Sequence, residues 1–422
     1  MLLIKNGLVY LDGNLTKTDI LIDNNKIKAI GTGFEAEQVI DAEGKLVTPG
    51  LVDVHVHYRE PGQTYKEDIA TGSRAGARGG FTTTLAMPNV IPTPDTPELM
   101  QQMVKANREK GIIHVLQYAP ITAGETSDEI LDYKGLKKAG AVALSNDGHG
   151  VQNARTMYLA MQKAADNDLI VASHCQDDSL FNHGVINEGP KATELDLPGI
   201  SELAETTQIA RDLLLAEKTG VHYHICHVST RTSVDLVRMA KARGINVTCE
   251  AAPHHLLLSD SQIPGNDPYY KMNPPLRSRS DVDALVEGLL DGTIDMIATD
   301  HAPHAKKEKT GDMRDAAFGI TGSETCFSML YTKFVKPGIF ALEDLLDWLT
   351  IMPAENFGLE NCGQIKPGAE ADLAIFDLDH PVTLKESDYL SKGVNTPFTG
   401  QEVYGSTWMT LVSGQKVYER GN

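Results

Sequence analysis

Residues 51–62 read LVDVHVHYREPG, a run of aliphatic and β-branched side chains interrupted by His55 and His57, with Arg59 two positions further on. Side chains at i and i+2 of a strand share a face. With Val54 and Val56 turned toward a helical layer, both imidazoles face the inside of a sheet. Two buried imidazoles are unfavourable unless something uses their lone pairs, and a divalent cation does. A lone HxH pair is also what two hydrogen-bonded core histidines produce, so the rest of the chain has to decide.

Outward from this run, short apolar segments alternate with helical patterns, as parallel βα units do. Strands are predicted to begin near Leu51, Phe81, Ile112, Ala141, Leu169, Val221, Ile245 and Ile294. Amphipathic helices separate them, such as PELMQQMVKANREKG (97–111), ARTMYLAMQKAADND (154–168) and TSVDLVRMAKARG (232–244). Eight such units match a (β/α)8 barrel. An open doubly wound sheet is disfavoured, because no G-x-G-x-x-G follows an early strand. The longer gaps after the fifth and seventh strands read as surface insertions.

Both chain ends have a different texture. LLIKNGLVYLDGN (2–14), DILIDNNKIKAIG (19–31) and QVIDAEGKLVTPG (38–50) are β-rich, with Asn-Gly, Asp-Gly and Asn-Asn marking hairpins. GQIKPGAEADLAIFDL (363–378) and WMTLVSGQKVYERGN (408–422) resemble them. The expected fold class is α/β: a TIM-like barrel of residues 49–363, with a small β-sandwich domain assembled from residues 1–48 and 364–422.

Composition narrows the function. The 422 residues include 38 Lys and Arg against 57 Asp and Glu, a net charge of −19. That argues against nucleic acid or an anionic membrane surface as partner, since both need basic patches. No apolar run approaches the roughly 18 residues of a membrane span, and the start lacks the apolar core of a signal peptide. Five scattered cysteines (Cys175, Cys226, Cys249, Cys326, Cys362) without CxxC spacing fit a reducing, cytoplasmic location.

Other predicted strand ends carry the same chemistry as the first. The fourth ends AVALSNDG, with Asp147 just beyond; the fifth ends LIVASHC, with His174. The sixth ends VHYHICHVST, with His227, and the eighth ends IDMIATDHAPH, with Asp300. In a barrel the C-terminal strand ends share one mouth. Four histidines and two aspartates exceed the three or four ligands one zinc needs, so two metals bridged by a shared carboxylate is the natural count. His222 and His224, of opposite parity to His227, are expected to face the helices, and Cys226 to face away from the metals. His254 and His255 are expected to be polar loop residues.

Together DVHVHYREPG (53–62), AMPNVIPT (86–93), SHCQD (173–177), CHVST (226–230), KMNPPLR (271–277) and ATDHAPH (298–304) resemble the amidohydrolase superfamily. Within it they resemble the metal-dependent, bacterial dihydroorotases with an HxHxR motif. The resemblance runs nearly end to end. It implies interconversion of N-carbamoyl-L-aspartate and L-dihydroorotate in pyrimidine synthesis. It implies two zinc ions per subunit, bridged by Asp147 and a hydroxide: His55, His57 and Asp300 hold one, His174 and His227 the other. Asp300 is the implied general base. Arg59 is suited to the substrate carboxylate by its planar fork, and Asn89, Asn273, His304, Phe318 and Gly319 are further implied substrate contacts. As partners it implies the small-molecule substrate, and it leaves open a homodimer and association with an aspartate transcarbamoylase. The rivals are a hydantoinase or dihydropyrimidinase, which bridge their metals with a carbamylated lysine, and a non-catalytic scaffold, which typically loses ligands. No lysine lies between Lys138 and Lys163, and every ligand is present. The charged, glycine-containing segment 301–322 reads either as a mobile lid over the mouth or, from Lys306 to Arg314, as a solvated surface loop.

Overall fold

The apolar runs form eight parallel strands hydrogen-bonded in chain order: Leu51–Val56, Phe81–Ala86, His114–Ala119, Ala141–Ser145, Ile170–Ser173, Tyr223–Ile225, Val247–Ala251 and Met296–Ile297. This arrangement comes from a computed structural model that describes residues 1–421. Each strand starts within two residues of its predicted position. A parallel bridge from Val56 to His301 and a hydrogen bond from His57 N–H to His301 C=O (2.9 Å) join the last segment to the first, closing the barrel. Gly50 leads into the first strand, where a Cβ would lie 2.0 Å from Thr82 Oγ1, so no larger residue fits.

The helices start where side chains cap them. Thr96 accepts from Leu99 N–H before Pro97–Lys110, Asn153 caps Ala154–Ala165, and Thr230 caps Arg231–Ala242. Each cap satisfies an orphan N–H and contributes about 1 kcal/mol. Outward strand residues such as Phe81, Val171, Ile225 and Val247 pack with the helices in one large core. A second core fills the barrel: Val52, Val54, Leu85, Tyr118, Ala143, Ala172, Cys226, Met296 and Ala298, with Phe357 packed among them.

Two expectations about facing fail here. Val54 joins Val52 in the barrel interior instead of turning to the helices. Pairing between the first two strands is irregular from Asp53 to Val56, and the buried Asp53 carboxylate accepts from His55 N–H and Thr299 N–H. This irregularity breaks simple alternation, so a bulge-like bend presents His55 and His57 to the mouth. Cys226 also lies inside, because the sixth strand ends at Ile225 and His227 adopts φ +31°, which resets the parity.

The termini build one mixed eight-stranded sheet with its own core, including Ile4, Ile20, Ile27, Val47, Leu373, Ile375 and Leu411. Leu46–Pro49 pairs antiparallel with Leu373–Asp377 and parallel with Leu8 and Val9, which joins the two ends of the chain. Asn6-Gly7 is not a hairpin turn. It is an irregularity inside Leu2–Leu11, with Asn6 at φ +62°. Between its C-terminal strands the chain leaves the sheet, and Leu384, Phe398 and Val403 pack with Ile186, Leu197, Leu258, Met272 and Met313. The insertions after the fifth and seventh strands are therefore more than surface: they share a satellite core. No helix among the described residues is long and apolar enough to cross a membrane.

Candidate active site

The strand ends converge as the barrel dictates. His55, His57, Asp147, His174, His227 and Asp300 are all buried. Asp147 is central: its Oδ1 lies 3.2 Å from His55 Nε2, 3.7 Å from His227 Nε2 and 3.9 Å from His174 Nδ1, and its Oδ2 lies 3.4 Å from His57 Nε2. Asp300 Oδ1 is 3.2 Å from His57 Nε2 and 3.6 Å from His55 Nε2. His174 Nδ1 and His227 Nε2 are 3.1 Å apart. Arg59, His227 and Asp300 all sit in left-handed backbone (φ +57°, +31° and +49°). Each such non-glycine residue costs on the order of 1 kcal/mol, and such strain collects at functional sites.

Burial opposes charge throughout, and the neighbours decide the outcome. Burial would raise Asp147, but the imidazoles around it, the charge of His55 foremost, hold it well below the usual carboxylate range. Asp300 is likewise raised by burial and pulled down further by its hydrogen bond to His57. Burial and then the charge of His227 push His174 down to about 4. His57 is lowered by burial and by Arg59. Burial would lower His55 and His227 too, but the carboxylates beside them raise both; since ionised carboxylates and neutral imidazoles are the forms that bind metal, a cation binding there would displace protons.

The donor set fits a cation. His55 Nε2, Asp147 Oδ1 and His227 Nδ1 are buried with no hydrogen-bond partner, an arrangement unfavourable by a few kcal/mol unless something binds there. Three sets bring their donor atoms within 4.8 Å of one another: His55, His57 and Asp300; His55, Asp147 and His227; and, on the inner side of His55, His55, Cys226 and Glu250. Imidazole nitrogen and carboxylate oxygen are zinc-type ligands.

The implied substrate residues surround this cluster. Arg59 is 8% exposed and makes no ion pair among the described residues; its Nε donates weakly to Pro303 C=O at 3.4 Å. Asn89 is engaged at both ends, with Oδ1 3.0 Å from His57 Nδ1 and Nδ2 donating to Asp147 Oδ2 at 3.4 Å. It therefore braces the His57 ring and the Asp147 carboxylate. Asn273 Nδ2 lies 3.3 Å from His174 Nε2 and donates to Gln176 Oε1 at 2.7 Å. His304 Nε2 donates to Phe318 C=O at 2.7 Å, and burial followed by the charges of Arg59 and Lys66 pushes this imidazole down to about 2. Gly319 has φ +113°, and a Cβ there would meet Ala302 Cβ at 2.5 Å.

Several expectations are corrected here. His224 faces into the barrel, with Nε2 3.0 Å from Glu250 Oε2. Cys226 Sγ lies among His55 and Glu250 donors instead of facing away. His254 and His255 are buried, His255 Nε2 donating to Pro274 C=O at 2.9 Å, because the satellite core covers them. The segment read as a mobile lid is tied down by two buried lysines. Lys271 Nζ donates to Met313 and Ala316 C=O, both at 2.6 Å, and Lys309 Nζ to Lys271 and Ala317 C=O at 3.0 and 2.9 Å. Asn146 is structural: its Oδ1 accepts from Ile121 and Thr122 N–H, and its Nδ2 donates to Thr122 Oγ1 and Glu125 C=O.

Glu250, buried in the seventh strand, was missed. Burial would raise its carboxyl, but the charge of His55 and hydrogen bonds to His224 and His55 bring it down to about 2. A lone glutamate in VTCEA was the available signal. Lys66 was also missed; its Nζ lies 3.2 Å from Glu308 and 3.5 Å from His304 Nδ1.

Residues 44–233 match the Dihydro-orotase-like family and residues 281–418 the Amidohydrolase family. The chain is 70% identical over 419 residues to the dihydroorotase of Lactobacillus helveticus, covering 99% of both chains. It is 62% identical over 423 residues to that of Ligilactobacillus salivarius, again covering 99% of both. Among solved structures it is similar to the L-hydantoinase (dihydropyrimidinase) of Arthrobacter aurescens, with TM-score 0.91, 27% identity, and coverage of 100% of this chain and 96% of that one. The D-hydantoinase of a Thermus species gives TM-score 0.88 at 27% identity, with the same coverage.

Proposed function

The chain belongs to the dihydroorotase family, and from that premise we propose that its barrel mouth interconverts N-carbamoyl-L-aspartate and L-dihydroorotate with two divalent cations. Zinc is the assignment by donor chemistry. His55, His57 and Asp300 would hold one cation and His174 and His227 the other, with Asp147 shared between them. Bound there, such a pair supplies Lewis-acid polarisation and an activated water.

The chain's own groups do the rest. In cyclisation the carbamoyl nitrogen attacks the side-chain carboxyl carbon; a C–N bond forms and a C–O bond breaks. Asp300, held ionised, accepts the proton that the nitrogen releases and passes it to the departing oxygen. With one further proton from solvent, that oxygen leaves as water. Hydrolysis runs the same transfers backwards. Arg59 holds the substrate's other carboxylate in its fork. Asn273 reaches the substrate from the rim, Asn89 fixes the ligands behind it, and His304, Phe318 and Gly319 wall the mouth.

The observation that carries this reading is the convergence of six buried ligand-type side chains, three of them with a partnerless polar atom, beside a buried arginine without an ion pair. A hydantoinase-type chemistry is favoured by overall shape alone, since Asp147 occupies the centre and no lysine is available from 139–162. A cytosolic location belongs to the same proposal, consistent with five free thiols.

The test is turnover by zinc-loaded protein of dihydroorotate against hydantoin and dihydrouracil. Dihydroorotate is expected to be opened preferentially, and Arg59→Lys to raise its KM by about tenfold or more, because a point charge replaces a bidentate fork. Equal turnover of the uncharged rings would overturn the assignment.

A further inference from the structure

Behind the metal-binding face of His55 lies a buried polar chain that the reaction does not use. Glu250 Oε1 is 2.7 Å from His55 Nδ1 and accepts from His227 N–H at 3.3 Å. Its Oε2 is 3.0 Å from His224 Nε2. His224 Nδ1 lies 2.8 Å from Thr248 Oγ1, which is also 2.9 Å from His222 Nε2. Glu250, His55 and His224 are each at most 1% exposed.

The geometry points to Glu250 as a positioning residue that fixes both halves of the metal centre at once. A carboxylate can only accept, so His55 must carry its proton on Nδ1. In the neutral form that binds metal, the Nε2 lone pair then faces Asp147 Oδ1 at 3.2 Å and Asp300 Oδ1 at 3.6 Å. In that form three acceptors face one another, an arrangement that a cation between them relieves, and Nε2 has no hydrogen-bond partner of its own. The same Glu250 oxygen holds the backbone of His227 in its left-handed bend, from which that side chain reaches the other half-site. Carboxylates behind ligand histidines set tautomer and ring orientation in this way. Glu250 is not itself a ligand, because both its oxygens are taken up by donors from His55, His227 and His224.

This inference rests on the two-metal reading, and the experiment separates the two. Metal-free wild type, Glu250→Gln and Glu250→Asp are titrated with Zn2+ against a chelating competitor, and Co2+-loaded forms are compared by their visible d–d spectra. Thermal unfolding of each metal-free form checks folding. Gln keeps the shape and loses the charge; Asp keeps the charge and loses the reach. Both are expected to weaken both cations together, by about 10- to 100-fold, with an altered Co2+ spectrum and near-wild-type unfolding of the metal-free chain. If Gln does not fold, Asp carries the test. Wild-type affinity and spectrum in a folded variant, or weakening of one cation alone, would overturn the role of Glu250. A wild type that holds fewer than two cations would instead overturn the two-metal reading.

Discussion

Two buried polar clusters lie on the same barrel, and they differ in completeness. Around Glu205, on the helix Leu203–Thr219, every donor has found an acceptor. Its carboxylate accepts from Ser229 N–H at 3.0 Å, from the Ser229 hydroxyl and from the Ser233 hydroxyl at 2.6 Å, with Arg277 Nη2 at 3.7 Å. Arg277 donates to Ser229 Oγ, Asn187 Oδ1 and Ile200 C=O. At the mouth, by contrast, His55 Nε2, Asp147 Oδ1 and His227 Nδ1 are left open. Burial and charge are common to both. A closed network is a brace, here stapling the insertions to the barrel; an open network is a binding site for something that completes it.

The contrast breaks most visibly at Asp147. Asp147→Ala removes the carboxylate that faces all four histidines, and metal analysis is expected to show loss of both cations. Cyclisation should fall by about a thousandfold or more, roughly 4 kcal/mol of barrier, while the chain still folds. Retention of both cations would mean another group bridges them.

Breaking the closed cluster should do the reverse. Arg277→Met leaves the Glu205 charge buried without its cation, which destabilises by about 3 kcal/mol or more and lowers Tm by roughly 3–4 °C in a chain of this length. Metal content per folded chain should not change. Lost metal with unchanged Tm would erase the distinction between brace and site.

Glu125 sharpens the criterion. Its Oε1 is buried and partnerless, yet it lies in none of the ligand sets. Burial, and then the charge of Asp147, pushes its carboxyl up to about 9, so it is neutral where the metal ligands are ionised. The folded pKa lies above the unfolded value of 4.5. Its stabilising contribution is therefore complete below pH 4.5 and is lost as pH rises toward 9. Glu125→Gln, neutral at every pH, should match wild type in stability at pH 4 and exceed it by about 1 kcal/mol or more at pH 8.5, read as a higher Tm. Parallel Tm profiles would show that Glu125 ionises freely in the fold.

The smallest effect concerns the loop over the mouth. Burial, then the charge of Lys271, pushes Lys309 down to about 7 from 10.5. The unfolded chain binds the extra proton between those values, so stability rises with pH across that window. Lys309→Met should flatten that rise, read as Tm between pH 7 and 10. An unchanged slope would show that Lys309 is not the group responsible.

The barrel was legible in the sequence because each strand is a short apolar run and each candidate ligand sits at or just past the C-terminal end of one. His55, His57, Asp147, His174, His227 and Asp300 all lie where that rule puts them. What the sequence hid depends on departures from regularity. The bend between Asp53 and Val56 and the left-handed His227 reset side-chain parity, so Val54, His224 and Cys226 turned up on faces opposite to those expected. Glu250, next to last in its strand as His55 is in the first, was passed over because it stands as a lone carboxylate with no histidine beside it. His254 and His255 read as polar loop residues because the core beside them is assembled from four distant segments. Motif residues also divided: Arg277 and Ser229, part of the family resemblance, serve the brace and not the chemistry.

The most direct measurement is a Zn2+ titration of metal-free protein with N-carbamoyl-L-aspartate cyclisation followed at each addition. Activity is expected to climb from a negligible level to a plateau at two equivalents per chain, and to stay negligible throughout in Asp147→Ala. Full activity without added metal, or a plateau at one equivalent, would contradict a two-cation centre built around Asp147.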